Sequence, residues 1–344
     1  MRTFVFGAGA SVHAGYPLAS KLWPAMSGWV LESCPPESWF RDAVAEMNSR
    51  FDISQPFELM LTDLQGRIDA FAKKADASDS ERRERQLLLL LPRTAEDMVG
   101  EYFKAIRSRP AELYDRFAAD VLMPGDALIT FNYDVALDRA LKGSGKWTIR
   151  DGYGFEIERL PLEHSTCTLL KLHGSTNWRG ELFGGMEGFG QWSGPSLGER
   201  PVVDPAEFEY LGYDGMSDAK CHNGRVRVAS LIMPTANKKF YRQTSLGLEW
   251  LEFWDSLWNQ AEDALRMSDE IYIVGYSLPE YDTRARELLA RGISQGAHVG
   301  VCCHAATGGI VESLKQLGLR NAAPCNAMTF EGFLAEKRKA AGVR

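Results

Sequence analysis

The sequence predicts a doubly wound α/β fold, a parallel (Rossmann-like) sheet covered by helices on both faces, within a single domain over residues 1–344. Three observations predict it. Short apolar runs return along the chain and are followed by helical spacing, the pattern of buried parallel strands alternating with helices. A glycine-rich turn follows the first run. Polar residues gather just past several of the others, beyond the strand ends where such sheets collect ligands.

The first strand is Thr3-Phe4-Val5-Phe6, and it hands over to Gly7-Ala8-Gly9-Ala10-Ser11. Glycines there let the backbone approach a diphosphate, and N–H groups at a helix start carry partial positive charge. Close packing of a strand on a helix makes the same demand, so the turn alone leaves both uses open. From about Pro17 to Leu122 the spacing is helical, which predicts a large helical insertion. Its polar break, Lys73 to Arg85, reads as a solvated loop and helix face. Strand patterns return at Asp126–Phe131, Thr168–Leu172, Val228–Met233, Glu270–Val274 and His298–Cys302.

Between Gly180 and Arg227 glycines are frequent and regular periods few, which predicts a loop-rich insertion, either a lid or partner surface or irregular cover. A helix expected over Leu246 to Met267 puts Trp250, Trp254 and Trp258 on one face, suited to the core or to an oligomer interface.

Composition narrows the function. The 344 residues are 45% hydrophobic and 25% charged, with net charge -7, so no overall basic charge grips a nucleic-acid backbone or an anionic membrane. The most apolar run, Leu87 to Leu91, is cut by Pro92 and falls far short of the roughly 20 residues a bilayer span needs; it reads as buried helix. Met1-Arg2 leads straight into the first strand without a basic, apolar and cleavable leader, so a cytoplasmic protein is expected. The six cysteines, Cys34, Cys167, Cys221, Cys302, Cys303 and Cys325, lack the paired spacing of a zinc site. Neighbours on a strand point to opposite faces, so Cys302 and Cys303 are not expected to share a metal or a disulfide. Neither a zinc module nor any other metal is predicted.

Three further turns carry chemistry. Thr130-Phe131-Asn132-Tyr133-Asp134 places an amide and a carboxylate just past a strand, where they serve either a ligand or a turn and helix cap. His173-Gly174-Ser175 sets a histidine at a strand end, either a general base near neutral pH or a satisfied structural residue. Gly275-Tyr276-Ser277-Leu278-Pro279 permits a close backbone approach and supplies a hydroxyl. Four such turns at the carboxyl ends of one sheet would make a nucleotide pocket.

In chain order, GAGAS, TFNYD, LHGS and GYSLP resemble the sirtuin signature, whose pattern is a GAG-x-S turn, a TQN-x-D turn, an HG dipeptide and a G-x-S turn. The resemblance runs from Arg2 to about His304 as ordered landmarks. It implies an NAD-binding sheet on which the nicotinamide glycosidic bond is broken. Gly7, Ala8, Gly9 and Ser11 match the diphosphate turn, Asn132 the ribose-holding asparagine, and Asp134 the aspartate of the nicotinamide pocket. His173 matches the general base, and Gly275 and Ser277 the turn facing adenosine. His304 falls near the adenine ribose, where the family usually has asparagine.

The departures shape the expectation. The two C-x-x-C pairs of sirtuin deacylases are absent, the family glutamine is Phe131, and Leu18-Ala19 replaces Phe-Arg after Pro17. With its helical insertion and a GYSLP-x-x-D stretch reaching Asp282, the chain is similar to the bacterial sirtuin-like NADases of antiphage defence. The resemblance implies an NAD glycohydrolase yielding nicotinamide and ADP-ribose, with Asn132 and His173 catalytic. Two alternatives are a module that senses NAD or ADP-ribose and a zinc-free NAD-dependent protein deacylase. Control of such an activity implies a homo-oligomer or a regulatory partner, which in that family includes ring ATPases and Argonaute-type sensors.

Overall fold

The computed structural model describes residues 1–72, 78–155, 164–187, 191–197, 202–203, 225–231 and 253–340. The first strand, β1 (Arg2–Phe6), has four consecutive fully buried residues, as a central parallel strand requires. It is followed by a 3-10 segment (Ala8–Ala14) and then by the helical insertion. Its helices are α1 (Ala19–Ser33), α2 (Trp39–Arg50), α3 (Phe57–Ala72), α4 (Asp79–Ile106) and α5 (Glu112–Arg116), closed by a π-helical turn, Phe117–Val121. Ser78 and Glu81 form a capping box that starts α4, so residues 78–85 are its first turns; residues 73–77 lie outside the described ones. Pro92 does not end the helix. The run Leu87 to Leu91 is amphipathic and not wholly buried, since Leu88 and Leu91 face the core while Leu89 and Leu90 are exposed.

The chain then alternates β2 (Ala127–Thr130), α6 (Ala136–Gly143) and β3 (Thr168–Lys171). After β3 it leaves the sheet through β4 (Gly174–Glu187), β5 (Gln191–Leu197), β6 (Val202–Val203) and β7 (Arg225–Leu231), a second sheet of antiparallel pairs on β4. This corrects the placement of the Val228–Met233 run, which is expected in the parallel sheet. A short apolar run reads the same in either sheet, and pairing with β4 decides between them. The described stretches within 180–227 are likewise strands, whose alternation is interrupted by glycines and a register shift near Phe183.

The return to the main sheet is through α7 (Phe253–Arg266), β8 (Glu270–Val274), α8 (Thr283–Gly292), β9 (His298–Cys302), α9 (Thr307–Gln316), β10 (Ala322–Pro324) and α10 (Phe330–Ala340). Trp254 and Trp258 on α7 are buried in the core; Trp250 lies outside the described residues.

The main sheet is six-stranded in the order β10-β9-β8-β1-β2-β3, with every pairing parallel. Strand order therefore reverses at β1, which leads outward through β2 and β3 on one side and has β8 on the other. That is the switch point at which doubly wound sheets open a crevice. The strands end nearly flush there, since Phe6 is level with Thr130 and Val274, Thr130 with Lys171, and Val274 with Cys302. One or two residues farther on, the turns share one height.

No described helix is long and apolar enough to cross a membrane.

Candidate active site

A cavity of about 900 Å³ opens at this switch point, lined by Gly7, Ala8, Gly9, Ser11, Asn132, Asp134, His173, Gly275, Ser277 and His304 among others. Those ten are the residues singled out in the sequence, and the fold brings all of them to one place. The helical insertion supplies a further wall through Leu18, Leu22, Glu58, Phe103 and Leu113.

The glycines work by close approach. A Cβ on Gly7 would come within 2.5 Å of the Tyr276 Cα, and one on Gly275 within 2.1 Å of the Ala10 nitrogen. Gly275 also has φ 64°, in the left-handed region that other residues avoid. The two turns are stitched together, with Gly7 N–H donating to the Val274 carbonyl at 3.1 Å and Gly9 N–H to the Gly275 carbonyl at 2.8 Å. The N–H groups of Gly7 and Gly9 are therefore turned to the protein and not to the cavity. They are already engaged, and the segment that follows is a short 3-10 helix with no α-helical start. The glycines instead bring the β1 and β8 turns together to form the cavity floor.

Asn132, nearly buried, reaches across from the β2 end. Its Nδ2 donates to the Gly7 carbonyl at 3.0 Å and to Ser11 Oγ at 3.1 Å. Ser11 is fully buried, and its hydroxyl meets the Tyr114 hydroxyl at 2.9 Å. Tyr114, on α5, is held against both Ser11 and Asn132, and burial pushes its phenol well above the ordinary range. It gives no signal in the sequence, because only the tertiary packing of the insertion brings it here.

Asp134 is buried beside them. Its Oδ1 accepts the Ala136 N–H at 3.0 Å, which fixes the turn entering α6. Burial raises its carboxyl above the usual carboxylate range, while the Lys171 charge, Ser11 and the Ala136 N–H oppose that rise.

His173 follows β3 and is 6% exposed. Its ring lies 5.1 Å from that of Phe131 and 6.1 Å from that of Tyr133, and Phe131 stacks on Tyr276 at 4.4 Å. Phe131 and Tyr133 thus flank the imidazole, and Tyr276 backs Phe131. The carboxylate of Asp282 approaches the imidazole, with Oδ2 3.9 Å from His173 Nε2 and accepting the Tyr276 hydroxyl at 2.8 Å. The only advance sign of Asp282 is its spacing after GYSLP.

Ser277 and His304 are exposed at the cavity rim. His304 has φ 49°, an uncommon conformation for a non-glycine residue, and its N–H donates to the Met328 carbonyl at 2.6 Å. Together the site offers a buried imidazole, two buried carboxylates and an amide, with the Ser277 hydroxyl and the His304 imidazole exposed. Among the described residues no cluster of three or more His, Cys, Asp or Glu could hold a metal ion.

No protein-family model matches the chain, and no curated protein matches it. Among solved structures it is similar to a mutant Sir2 homologue in complex with ADP-ribose, at 13% identity over 100% of this chain and 94% of that one, with a TM-score of 0.43. It is also similar to a structure described as the structural basis for the mechanism and regulation of Sir2 enzymes, at 13% identity over 99% and 93% of the two chains, with a TM-score of 0.40. A third is Sir2 with a p53 peptide and NAD+, at 11% identity over 100% and 94%, with a TM-score of 0.38.

Proposed function

We propose that the chain is an NAD glycohydrolase, cleaving the nicotinamide–ribose bond to give nicotinamide and ADP-ribose, and that it serves antiphage defence by depleting NAD. The observation that carries this reading is the convergence of all four sirtuin-like turns on one cavity at the switch point of a doubly wound sheet. The setting is that of a dinucleotide site.

In the reaction the C1′–N bond breaks and its electron pair leaves with nicotinamide, while positive charge develops on the ribose. Water then bonds to C1′ and gives up a proton. The transition state is of the oxocarbenium kind met in glycoside hydrolysis. His173 takes the proton, with the rings of Phe131 and Tyr133 beside its imidazole. Asn132 positions the ribose and the water, and Asp134 marks the nicotinamide pocket. Gly7, Ala8, Gly9 and Ser11 underlie the diphosphate, Gly275 and Ser277 the adenosine half, and His304 the adenine ribose.

The sensing alternative has one observation in its favour. Asn132 already uses its amide nitrogen to hold the Gly7 carbonyl and Ser11, which is a structural task. The deacylase alternative is disfavoured by Phe131, which fills the glutamine position with a ring stacked on Tyr276.

The test incubates the purified full chain with NAD, with and without candidate triggers such as phage proteins, and resolves nicotinamide, ADP-ribose and cyclic product. General acid–base catalysis contributes about 10²–10⁴-fold, so His173→Ala is expected to lose turnover on that scale while still binding NAD. Near-normal NAD loss by His173→Ala would sink the assignment. Tight NAD binding without nicotinamide release under every trigger would favour the sensor. Oligomeric state, examined by light scattering with and without NAD, tests the expected control by self-association or a partner.

A further inference from the structure

Asp282 carries more than its place in the chain requires. It is 3% exposed at the start of α8, where Oδ1 accepts the Ala285 N–H at 3.2 Å as a helix cap. Capping needs one oxygen, and asparagine or serine caps as well as aspartate without placing a charge in the interior. The second oxygen does something else. Oδ2 turns away from the helix to the Tyr276 hydroxyl, at 2.8 Å, and to His173 Nε2, at 3.9 Å. A buried carboxylate whose spare oxygen faces a buried imidazole suits a ring that gains positive charge during reaction. Hydrolases of unrelated fold likewise set a buried acid beside a histidine base, where it stabilises the imidazolium that forms.

We propose that Asp282 is the electrostatic partner of His173: its Oδ2, steadied by Tyr276, faces the imidazole at ion-pair distance and balances the charge the ring acquires on accepting a proton. The proposal rests on the NAD-cleaving reading for its catalytic consequence, although the Asp282–His173 pair exists in the fold regardless.

The described groups around His173 are few in kind. Phe131 and Tyr133 come from the end of β2, and Tyr276 and Asp282 from the segment between β8 and α8; Asp134, Glu58 and Tyr281 share the cavity wall. Lys171, two residues before His173, is tied to Asp138 and the Asp134 carbonyl. Asp282 is a described carboxylate at ion-pair distance from this ring. Tyr276 confers a second property, since its hydroxyl donates to the same oxygen and tempers the charge His173 meets.

The test is an NMR titration of the His173 ring in the full chain carrying isotope-labelled histidine, with His173→Gln to assign the resonance. Asp282→Asn keeps a cap and removes the charge; its melting temperature checks that the helix start survives. The His173 midpoint is expected to fall by about 1 pH unit in Asp282→Asn, the effect of removing an opposite charge nearby. It is expected to rise in Tyr276→Phe, where Oδ2 loses a competing donor. In nicotinamide release, kcat of Asp282→Asn should fall about 10²-fold with KM for NAD little changed, and the acid limb of the pH profile should move to lower pH.

Unchanged midpoints in both variants overturn the proposal. If the wild type releases no nicotinamide but the midpoint falls in Asp282→Asn, the pair stands and the NAD-cleaving reading fails. If the wild type cleaves NAD while Asp282→Asn keeps the wild-type midpoint and acid limb, the reading stands and the pair fails. Should Asp282→Asn not fold, Tyr276→Phe decides alone: a raised midpoint supports the pair and an unchanged one overturns it.

Discussion

Lys171 and Asp138 form an ion pair with no solvent exposure on either side chain, Nζ lying 3.0 Å from Oδ2. The same ammonium donates to the Asp134 carbonyl at 2.5 Å, and Asp138 accepts the Tyr153 hydroxyl at 2.5 Å. Asn177 continues the network by donating to Tyr153 at 3.1 Å, and Ser175 by donating to Asn177 at 2.5 Å. The pair ties the last residue of β3 to the first turn of α6 and to the Asp134 turn. One buried polar network therefore holds the Asp134 turn and the residues on either side of His173, Lys171 and Ser175.

Breaking that pair on one side leaves the other charge buried. Lys171→Met is expected to destabilise the chain by about 3–5 kcal/mol, read from denaturant unfolding. Lys171→Met combined with Asp138→Leu should recover part of the loss, because no lone charge remains. A Lys171→Met variant within about 0.5 kcal/mol of wild type would mean that water or another cation reaches Asp138.

Asp134 predicts a pH dependence. Burial raises its folded pKa above the unfolded value, so the folded chain holds this proton more tightly. The resulting stability is fully present below the unfolded pKa of about 3.9 and is lost as pH rises through the folded value. Asp134→Asn keeps an oxygen for the Ala136 N–H and never ionises. Relative to wild type it should be near neutral in stability at the acid end and gain as pH rises toward 7, in melts at matched ionic strength. A gain of the same size at every pH would assign the effect to something other than this carboxyl.

Two glycines separate close approach from mere flexibility. Gly275→Ala forces a Cβ onto the Ala10 nitrogen at φ 64°, so a loss of about 1–3 kcal/mol from backbone strain alone is expected, together with loss of NAD binding. Gly28 lies inside α1 with nothing within 4 Å of an added Cβ. Gly28→Ala should stabilise by about 0.5–1 kcal/mol and leave NAD binding intact. Thermal melts and NAD titration of the two variants check this opposition.

These contrasts show which features local sequence could carry. The turns at Gly7, Asn132, His173 and Gly275 were legible because each interrupts an apolar run with residues that a buried strand would not hold. Their convergence followed from one topological fact, that parallel strands ending flush put their next residues at the same height. Tyr114 and the Asp282–His173 contact were not legible as parts of the site. They depend on how α5 and α8 pack, over separations of 103 residues from Ser11 to Tyr114 and 109 from His173 to Asp282. β7 was visible as a strand but not assignable to a sheet, since its partner β4 is specified by pairing and not by composition. β10 is three residues long, too short for a period to show.

Tyr114 makes the insertion part of the site's rigidity. Its hydroxyl meets Ser11 Oγ, which also accepts from Asn132, so the tyrosine, serine and amide form one buried chain reaching the Gly7 carbonyl. Tyr114→Phe removes one hydroxyl without altering the ring packing against Phe6 and Phe330. A loss of about 1 kcal/mol is expected for the hydrogen bond. Ser11→Ala should cost a similar amount, and the double variant should fall short of the sum, because both remove the same contact. If Asn132 must be held still to position ribose and water, Tyr114→Phe should also lower kcat for nicotinamide release more than it raises KM for NAD. Strict additivity in stability together with unaltered kcat would show that α5 merely covers the site, and that Asn132 keeps its orientation through the Gly7 carbonyl alone.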